Sequence, residues 1–222
     1  MAEAAVICDV DGVLLELTNA EEELFFHPFA SRCDASQLSR DWNSYRVRND
    51  EDIIAELVER HQLPHNSAAP IKAEYLAVLH HHLQHNIIKT KQIPGAKSLL
   101  QACSAFATLG IATANLRKAA QLRLQQAALW EFVSAHAHGA DGGGHKHQIF
   151  GRALAQLNMP KSRVVYIGDN VNDVQAGLEH RVHFIGFSQD HNRLKTLKTA
   201  GAEYLSSHHT ETLAMIKTLL GS

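Results

Sequence analysis

One stretch near the start of the chain decides the fold: Ala5-Val6-Ile7-Cys8-Asp9-Val10-Asp11-Gly12-Val13. The apolar run at residues 6–8 predicts a short strand that is buried on both faces, as in a parallel sheet covered by helices. Aspartate is rare in strands and Asp-Gly favours a turn, so the strand should end where the two carboxylates begin. In an open parallel sheet, this carboxyl edge is where ligands bind.

Asp9 and Asp11 are separated by a single residue. If the extended backbone continues to Asp11, both carboxylates point to the same side of the strand. Two carboxylates that lie so near each other repel, and a bound cation would relieve the repulsion. The alternative is a surface turn that carries two acidic residues, and this stretch alone leaves both interpretations open.

Length, charge and cysteine content narrow the class of protein. The chain has 222 residues, of which 45% are apolar, enough for one large domain or slightly more. Its formal net charge of -2 gives no strong field for nucleic acid or an anionic membrane. No apolar run approaches the roughly 20 residues of a membrane helix, and the first residues do not resemble a secretory signal. Three widely spaced cysteines indicate reduced thiols in a cytoplasmic protein.

Helical periodicity dominates from about residue 18 to residue 91. The run Asn49-Asp50-Glu51-Asp52 predicts a capped helix start with acidic residues in the first turn. An apolar stripe follows it at Ile53, Ile54, Leu57 and Val58. We therefore expect an inserted all-helical cap domain at residues 17–91, with residues 1–16 and 92–222 forming the core domain.

Strands and helices alternate through the remaining chain. Apolar runs predict strands near residues 110–113, 163–167, 182–187 and 202–205. Between the first two of these, helical patterns run from Leu122 to Trp130 and from residue 149 to residue 157. This alternation predicts an α/β fold, in which a Rossmann-like parallel sheet carries helices on both faces.

The predicted strands end in polar residues of chemically useful types. Parallel strands place such ends along one edge of the sheet, where they can converge. Lys146 lies between the end of the strand predicted near residues 110–113 and the end of the strand predicted near residues 163–167. The residues are Asp9, Asp11, Thr113, Asn115, Lys146, Asp169 and Asp173.

Several of these residues also have a plainer interpretation. Thr113 could be an ordinary β-branched strand residue, and Asn115 could be a helix N-cap. Lys146 alone would be a solvated surface lysine, and Asp173 alone would be an acid in the first turn of a helix. The case for a site depends on all of them occurring together.

Together these segments resemble the motifs of the haloacid dehalogenase-like (HAD) hydrolases. The first motif is similar to residues 9–13 (DVDGV), and the second to residues 111–115 (IATAN). Lys146 resembles the lysine of the third motif, and residues 168–173 (GDNVND) resemble the fourth motif. The motifs occur in the family's order across nearly the whole chain. The helical insertion after the first motif resembles the cap of phosphoglycolate phosphatase-like and phosphomutase-like members.

Two residues depart from the family pattern. Ala114 stands where glycine is frequent, and His147 stands where proline often follows the lysine. Neither change removes a functional group, so they affect the expected backbone shape and leave the chemistry intact. Asp11 favours phosphate chemistry, because dehalogenating relatives generally lack this second aspartate.

The resemblance implies roles for the motif residues. Asp9 would be the nucleophile that forms an aspartyl phosphate, and Asp11 would act as general acid and then as general base. Mg²⁺, Lys146 and Thr113 would offset charge on the transferred phosphoryl group.

The resemblance also implies the ligands of the metal. Mg²⁺ would be held by the side chains of Asp9 and Asp169 and by the main-chain carbonyl of Asp11. Asp173 would orient a water molecule or Lys146 behind these ligands.

Substrate recognition is expected from the cap and from the end of the second strand. Arg46 and Arg48 could clamp a carboxylate or a second phosphate. Trp42 or Tyr45 could stack on a flat group. Asn115 is assigned to the same substrate-binding set. The alternative for the cap residues is an ordinary polar connection between helices with exposed arginines.

The expected function is hydrolysis of a small phosphorylated metabolite by a Mg²⁺-dependent phosphatase that works as a monomer or homodimer. Nucleic acid and membrane are not expected as partners. Two alternatives stay open: a phosphomutase of the same superfamily, and a catalytically idle HAD-like binding module. Asp9, Asp11, Lys146 and Asp169 favour a working enzyme over the idle module.

Overall fold

The computed structural model describes residues 3–221, and six strands within that range form one parallel sheet. The strands are β1 (Ala5–Cys8), β2 (Thr108–Ala112), β3 (Ala137–His138), β4 (Val164–Gly168), β5 (His183–Phe187) and β6 (Tyr204–Ser206). Their order across the sheet is β3-β2-β1-β4-β5-β6. Cys8 pairs with Ile111 of β2 on one side and with Ile167 of β4 on the other. The carboxyl ends of β2, β1 and β4 therefore lie side by side.

The described range contains ten α-helices. They are α1 (Asn19–Phe26), α2 (Asp50–Arg60), α3 (Ala68–Gln84), α4 (Ala96–Cys103), α5 (Arg117–Gln126), α6 (Trp130–Val133), α7 (Lys146–Leu157), α8 (Val171–His180), α9 (His191–Thr199) and α10 (His209–Leu220). None of the helices in residues 3–221 is both long enough and apolar enough to span a membrane.

Side chains of β1 alternate between two hydrophobic layers. Val6 and Cys8 join a cluster that includes residues of α4 and α10. Ala5 and Ile7 point to the opposite face and join a cluster that includes residues of α7, α8 and α9. The central strand is thus buried on both sides, and the predicted fold class is confirmed.

Helices α1 to α3 form a third hydrophobic cluster. Phe25, Ile54 and Leu79 belong to it, and it continues onto Leu122 of α5 and onto Leu116, the N-cap of that helix. The inserted helices therefore have a core of their own, which packs on a helix of the α/β core next to the carboxyl edge of the sheet.

The two linkers between these units run side by side. Leu15 pairs with Gln92 in an antiparallel bridge, and the Glu16 N–H donates to the Lys91 carbonyl at 2.9 Å. We therefore keep residues 17–91 as the proposed cap domain, with residues 1–16 and 92–222 as the proposed core.

The structure differs from the sequence pattern at two elements. The single helix expected from Leu122 to Trp130 is divided into α5 and α6, with Ala128 between them at φ 52. The pattern also misses β3, because a strand of two residues at the sheet edge carries no measurable alternation. Both differences lie away from the ends of β1 and β4.

Replacing Ile7 with alanine should destabilise the fold strongly. Ile7 is fully buried in the central strand, and removing a buried isoleucine side chain to alanine costs about 2–5 kcal/mol. Urea unfolding of Ile7→Ala measures this loss. The matched control is Ile87→Ala, since Ile87 is 58% exposed and its loss should change stability by less than about 0.5 kcal/mol. Equal losses in both variants would contradict the burial assignment.

Candidate active site

Backbone pairing continues past the ends of the strands and brings the predicted residues together. The Asp9 N–H donates to the Ile167 carbonyl at 2.8 Å, and the Thr113 N–H donates to the His138 carbonyl at 3.0 Å. The turn after Asp11 passes close to the end of β4. Gly12 has φ 74, and a Cβ there would lie 2.4 Å from Asp169 Oδ2, so this turn requires glycine.

Lys146 is the first residue of α7, and its side chain is buried among carboxylates. Its Nζ lies 2.7 Å from Asp9 Oδ2 and 3.0 Å from Asp173 Oδ1. Asp173 is held in turn by the Tyr166 hydroxyl, which donates to Oδ1 at 2.5 Å, and by the Asn170 N–H, which donates to Oδ2 at 3.0 Å. Asp173 is therefore both a first-turn acid of α8 and a partner of Lys146.

Burial changes the acid–base behaviour of this cluster. It raises the pKa of Asp9 to about 8; the charges of Asp173 and Asp169 add to the rise. Lys146 opposes this rise. Burial also raises the pKa of Asp169 to about 6, with Asp173 adding and Arg193 opposing. For Lys146, burial alone would lower the pKa, but the charges of Asp173 and Asp9 raise it above its usual value.

The carboxylates of Asp9, Asp169 and Asp173 could bind a divalent metal ion. One oxygen from each lies within 4.8 Å of the others, and magnesium prefers such hard carboxylate ligands. Burial, followed by the charges of neighbouring aspartates, raises the pKa values of Asp9 and Asp169, and a bound cation would favour the ionised form of both. The donor set thus fits the expected metal, while the choice of the Asp11 carbonyl as a ligand stays a prediction.

Asp11 takes part in a buried ion-pair network that the sequence does not predict. Arg123 of α5 places Nη2 2.7 Å from Asp11 Oδ1, and its Nε donates to Glu21 Oε1 at 2.8 Å. Its Nη1 donates to Asn115 Oδ1 at 3.1 Å. Asn115 is not the N-cap of α5, a position occupied by Leu116. The only signal for Arg123 is its place on the buried face of α5, four residues after Ala119.

A cleft of about 470 Å³ opens above these residues, between the sheet edge and the inserted helices. All but one of the predicted site residues line it: Asp9, Asp11, Trp42, Arg48, Thr113, Asn115, Lys146, Asp169 and Asp173. Pockets of several hundred Å³ are typical of small-molecule sites. The exception is Arg46, which lies outside the cleft wall, where its guanidinium pairs with Glu56 and Glu59.

The cap side of the cleft presents one aromatic and one basic side chain from the predicted set. The Trp42 indole N–H donates to Glu22 Oε1 at 2.7 Å, and its ring packs 5.5 Å from that of Phe25. Arg48 is half-buried and donates to Asn43 Oδ1 at 3.4 Å. It has no acidic partner among residues 3–221.

The first turn of α2 docks on the two core loops that carry Thr113 and Lys146. The Leu116 N–H donates to Asp50 Oδ2 at 2.8 Å, and burial raises the pKa of Asp50 to about 7. The Gly144 N–H donates to Asp52 Oδ2 at 2.8 Å, and the Asn49 amide donates to the Gly144 carbonyl at 2.8 Å. The glycine run before Lys146 therefore contacts the cap directly.

Arg193 of α9 is a second basic residue that the sequence does not predict in the site. Its Nη2 lies 3.3 Å from Asp169 Oδ2, and it lines the cleft. No local motif marks Arg193, because it reaches the cleft from a helix after β5 and its neighbours in sequence lie elsewhere.

An α/β core with four acidic residues at one sheet edge, under a helical cap, defines the class of protein as a HAD-like hydrolase fold. The family model described as haloacid dehalogenase-like hydrolase matches residues 6–187. The chain therefore belongs to the haloacid dehalogenase-like hydrolase family. A comparison with curated proteins finds no matching relative.

Solved structures share this fold over nearly the whole chain. One described as a predicted phosphatase from Clostridium acetobutylicum has a TM-score of 0.72 at 19% identity and covers 98% of this chain and 100% of its own. CbbY from Rhodobacter sphaeroides in complex with phosphate has a TM-score of 0.71 at 21% identity, covering 95% and 96%. A HAD family hydrolase from Deinococcus radiodurans R1 with bound phosphate and sodium has 0.61 at 22%, covering 99% and 97%. At these identities the likeness concerns the fold.

Asp169→Asn should stabilise the metal-free protein at neutral pH and abolish its stabilisation by Mg²⁺. The folded pKa of about 6 lies above the ordinary 3.8, so the unfolded chain ionises first and stability falls as pH rises through this window. Asparagine cannot ionise, so Asp169→Asn should not lose this stability above about pH 6. Below about pH 4 the variant and wild type should be equally stable.

Thermal unfolding with and without MgCl₂ measures both effects. A ligand at 100 times its Kd contributes about 2.7 kcal/mol, so wild-type Tm should rise by several degrees. Asp190→Asn, at an exposed helix N-cap, is the control and should keep the Mg²⁺ response. An unchanged Mg²⁺ response in Asp169→Asn would exclude Asp169 as a ligand.

Proposed function

We propose that the chain is a Mg²⁺-dependent phosphatase that hydrolyses a small phosphorylated metabolite through an aspartyl phosphate on Asp9. The observation that carries this proposal is the buried Asp9 carboxylate at the end of the central strand, with Lys146 Nζ 2.7 Å away. Family membership and the phosphate complexes of the structural relatives agree with it. The position of the cap after β1 supports the phosphoglycolate phosphatase-like branch.

In the first step, a carboxylate oxygen of Asp9 attacks phosphorus, and the bond to the leaving oxygen breaks. Asp9 Oδ1 accepts the Val10 N–H at 2.7 Å, and Oδ2 faces Lys146, so the carboxylate is fixed in orientation. Asp11 supplies the proton that the leaving alkoxide takes up. Mg²⁺, when bound, would favour ionised Asp9 and offset charge on the phosphoryl oxygens.

In the second step, Asp11 removes a proton from water, and the hydroxide attacks the phosphorus of the aspartyl phosphate. The acyl phosphate bond breaks, phosphate leaves, and the Asp9 carboxylate is restored. Lys146 and Thr113 stabilise negative charge on the phosphoryl oxygens in both steps. Asp173 positions Lys146, since its carboxylate lies 3.0 Å from Nζ and is itself held by Tyr166.

Recognition of the rest of the substrate is assigned to the cap side of the cleft. Arg48 lines the cleft and, within residues 3–221, has no acidic partner, so it is available to a carboxylate or a second phosphate. Trp42 adds a flat apolar wall beside Phe25. The cleft volume of about 470 Å³ suits a small metabolite.

Asp9→Asn should abolish phosphate release from p-nitrophenyl phosphate in the presence of Mg²⁺. The amide cannot form the acyl phosphate, so we expect a loss of at least about 10³-fold in kcat. Asp34→Asn, at an exposed turn of the cap, is the control and should retain wild-type activity. Wild-type protein that transfers phosphate between positions of a sugar without releasing it would indicate the mutase instead. Equal activity of Asp9→Asn and wild type would exclude Asp9 as nucleophile.

Arg48→Ala should raise KM for the natural substrate, whereas Arg46→Ala should not. A panel of phosphorylated carboxylates and sugars first identifies the substrate by phosphate release. A lost charged hydrogen bond corresponds to about tenfold or more in KM, while kcat should change little. Arg46 pairs with Glu56 and Glu59 outside the cleft, which makes it the matched control. A larger KM effect from Arg46→Ala would contradict this assignment.

A further inference from the structure

Arg123 connects four separate segments of the chain through one buried side chain, which is 3% exposed. Nη2 contacts Asp11 after β1 at 2.7 Å and donates to the Glu16 carbonyl of the first linker at 3.1 Å. Nε donates to Glu21 of cap helix α1 at 2.8 Å, and Nη1 donates to Asn115 after β2 at 3.1 Å. Three of the five guanidinium N–H groups thus donate a hydrogen bond to an oxygen, and the Asp11 carboxylate adds an ionic contact.

Stability alone does not explain this network. A buried ion pair is often no more stable than well-packed apolar residues of similar size, because its charges must be removed from water. A guanidinium differs from such residues in its rigid fork, which holds several oxygens at fixed directions. Burying an arginine beside Asp11 therefore gives orientation to that carboxylate.

The two sides of the Asp11 carboxylate have different surroundings. Oδ1 is buried and accepts no hydrogen bond within residues 3–221, so its ionic contact with Arg123 Nη2 is what compensates its charge; the side chain as a whole remains 26% exposed and lines the cleft. The exposed surface belongs to its other atoms, so the contact at Oδ1 leaves part of the side chain accessible from the cleft. Glu21 anchors Arg123 from the other side, and Glu21 is itself fixed by Thr18 in the capping box of α1.

We propose that Arg123 is a positioning residue that holds Asp11 in the orientation needed for proton transfer, with Glu21 making that orientation depend on the position of the cap. This inference rests on the proposed function, in which Asp11 is the general acid and base. Arg123 acts through Asp11 and needs no contact with the substrate.

Leaving-group dependence separates this role from a general loss of structure. Phenyl phosphate requires protonation of its leaving oxygen, whereas p-nitrophenolate leaves readily without a proton. For Arg123→Gln, kcat/KM should fall about 100-fold on phenyl phosphate and less than about tenfold on p-nitrophenyl phosphate, because general acid catalysis contributes about 10²–10⁴-fold. Lys118→Gln removes a charge from the exposed face of the same helix and should match wild type on both esters. Equal losses on both esters would overturn the proposal.

A double-mutant cycle tests whether Arg123 acts through Asp11. In an Asp11→Asn background, Arg123→Gln should change kcat/KM on phenyl phosphate by less than about threefold, because residues that act as a unit are not additive. The same 100-fold loss in both backgrounds would overturn the proposal.

Arg123→Lys guards against simple misfolding. It keeps the buried charge but cannot hold the same set of oxygens, so it should unfold close to wild type and still lose about tenfold on phenyl phosphate. Full recovery of activity in Arg123→Lys would show that charge alone suffices, and would overturn the positioning role.

Crystal structures of wild type and Arg123→Gln give a readout that does not depend on turnover. The Asp11 carboxylate should leave its position, while Asp9, Lys146 and Asp173 keep their contacts. An Asp11 side chain that stays in place overturns the inference even if the enzyme is active. Conversely, if wild type hydrolyses neither ester while Asp11 is displaced in the Arg123→Gln structure, the proposed function is contradicted, and the finding that Arg123 holds Asp11 in place stands.

Discussion

The structure depends on balancing the charge of several carboxylates buried at one edge of a parallel sheet. Asp9, Asp169 and Asp173 converge within a few ångströms. Lys146 pairs with Asp9 and Asp173, and Arg193 pairs with Asp169. Burying a carboxylate without a partner costs far more than a typical hydrogen bond returns. The helices that surround this edge therefore matter chiefly because they bring positive charges to these carboxylates.

Each cation reaches the edge from a helix start or a helix face that the core packing fixes. Lys146 begins α7, whose residues Ile149 and Phe150 are buried against the sheet. Arg123 lies on the buried face of α5, where the cluster of the cap helices meets the core. The hydrophobic layers thus determine where the positive charges lie, and the backbone ends of β1 and β4 determine where the negative charges lie.

The residues at the strand ends could be predicted from the sequence, whereas the arginines on the helices could not. The core could be predicted because strand ends, glycine turns and polar residues occur together in short motifs, such as Asp9, Asp11 and Gly12 after an apolar run. Residues such as Arg123 and Arg193 could not, because their partners lie far away in the chain and a single arginine on a helix carries no local signature. The short edge strand β3 has no local sequence signature either, since its pairing with β2 is determined by tertiary contact.

In the cap, the sequence does not show which of Arg46 and Arg48 faces the cleft. Both arginines occupy one polar segment of similar composition, and the outcome depends on which acidic residues of α2 lie nearby. Glu56 and Glu59 lie on the helix face next to Arg46 and neutralise it there. Arg48 adjoins the first turn of α2, where Asp50 and Asp52 are already engaged with core loops. Asp50 and Asp52 bind backbone N–H groups of the core and do not pair with Arg48. The Arg48 guanidinium therefore remains without an acidic partner in residues 3–221 and lines the cleft.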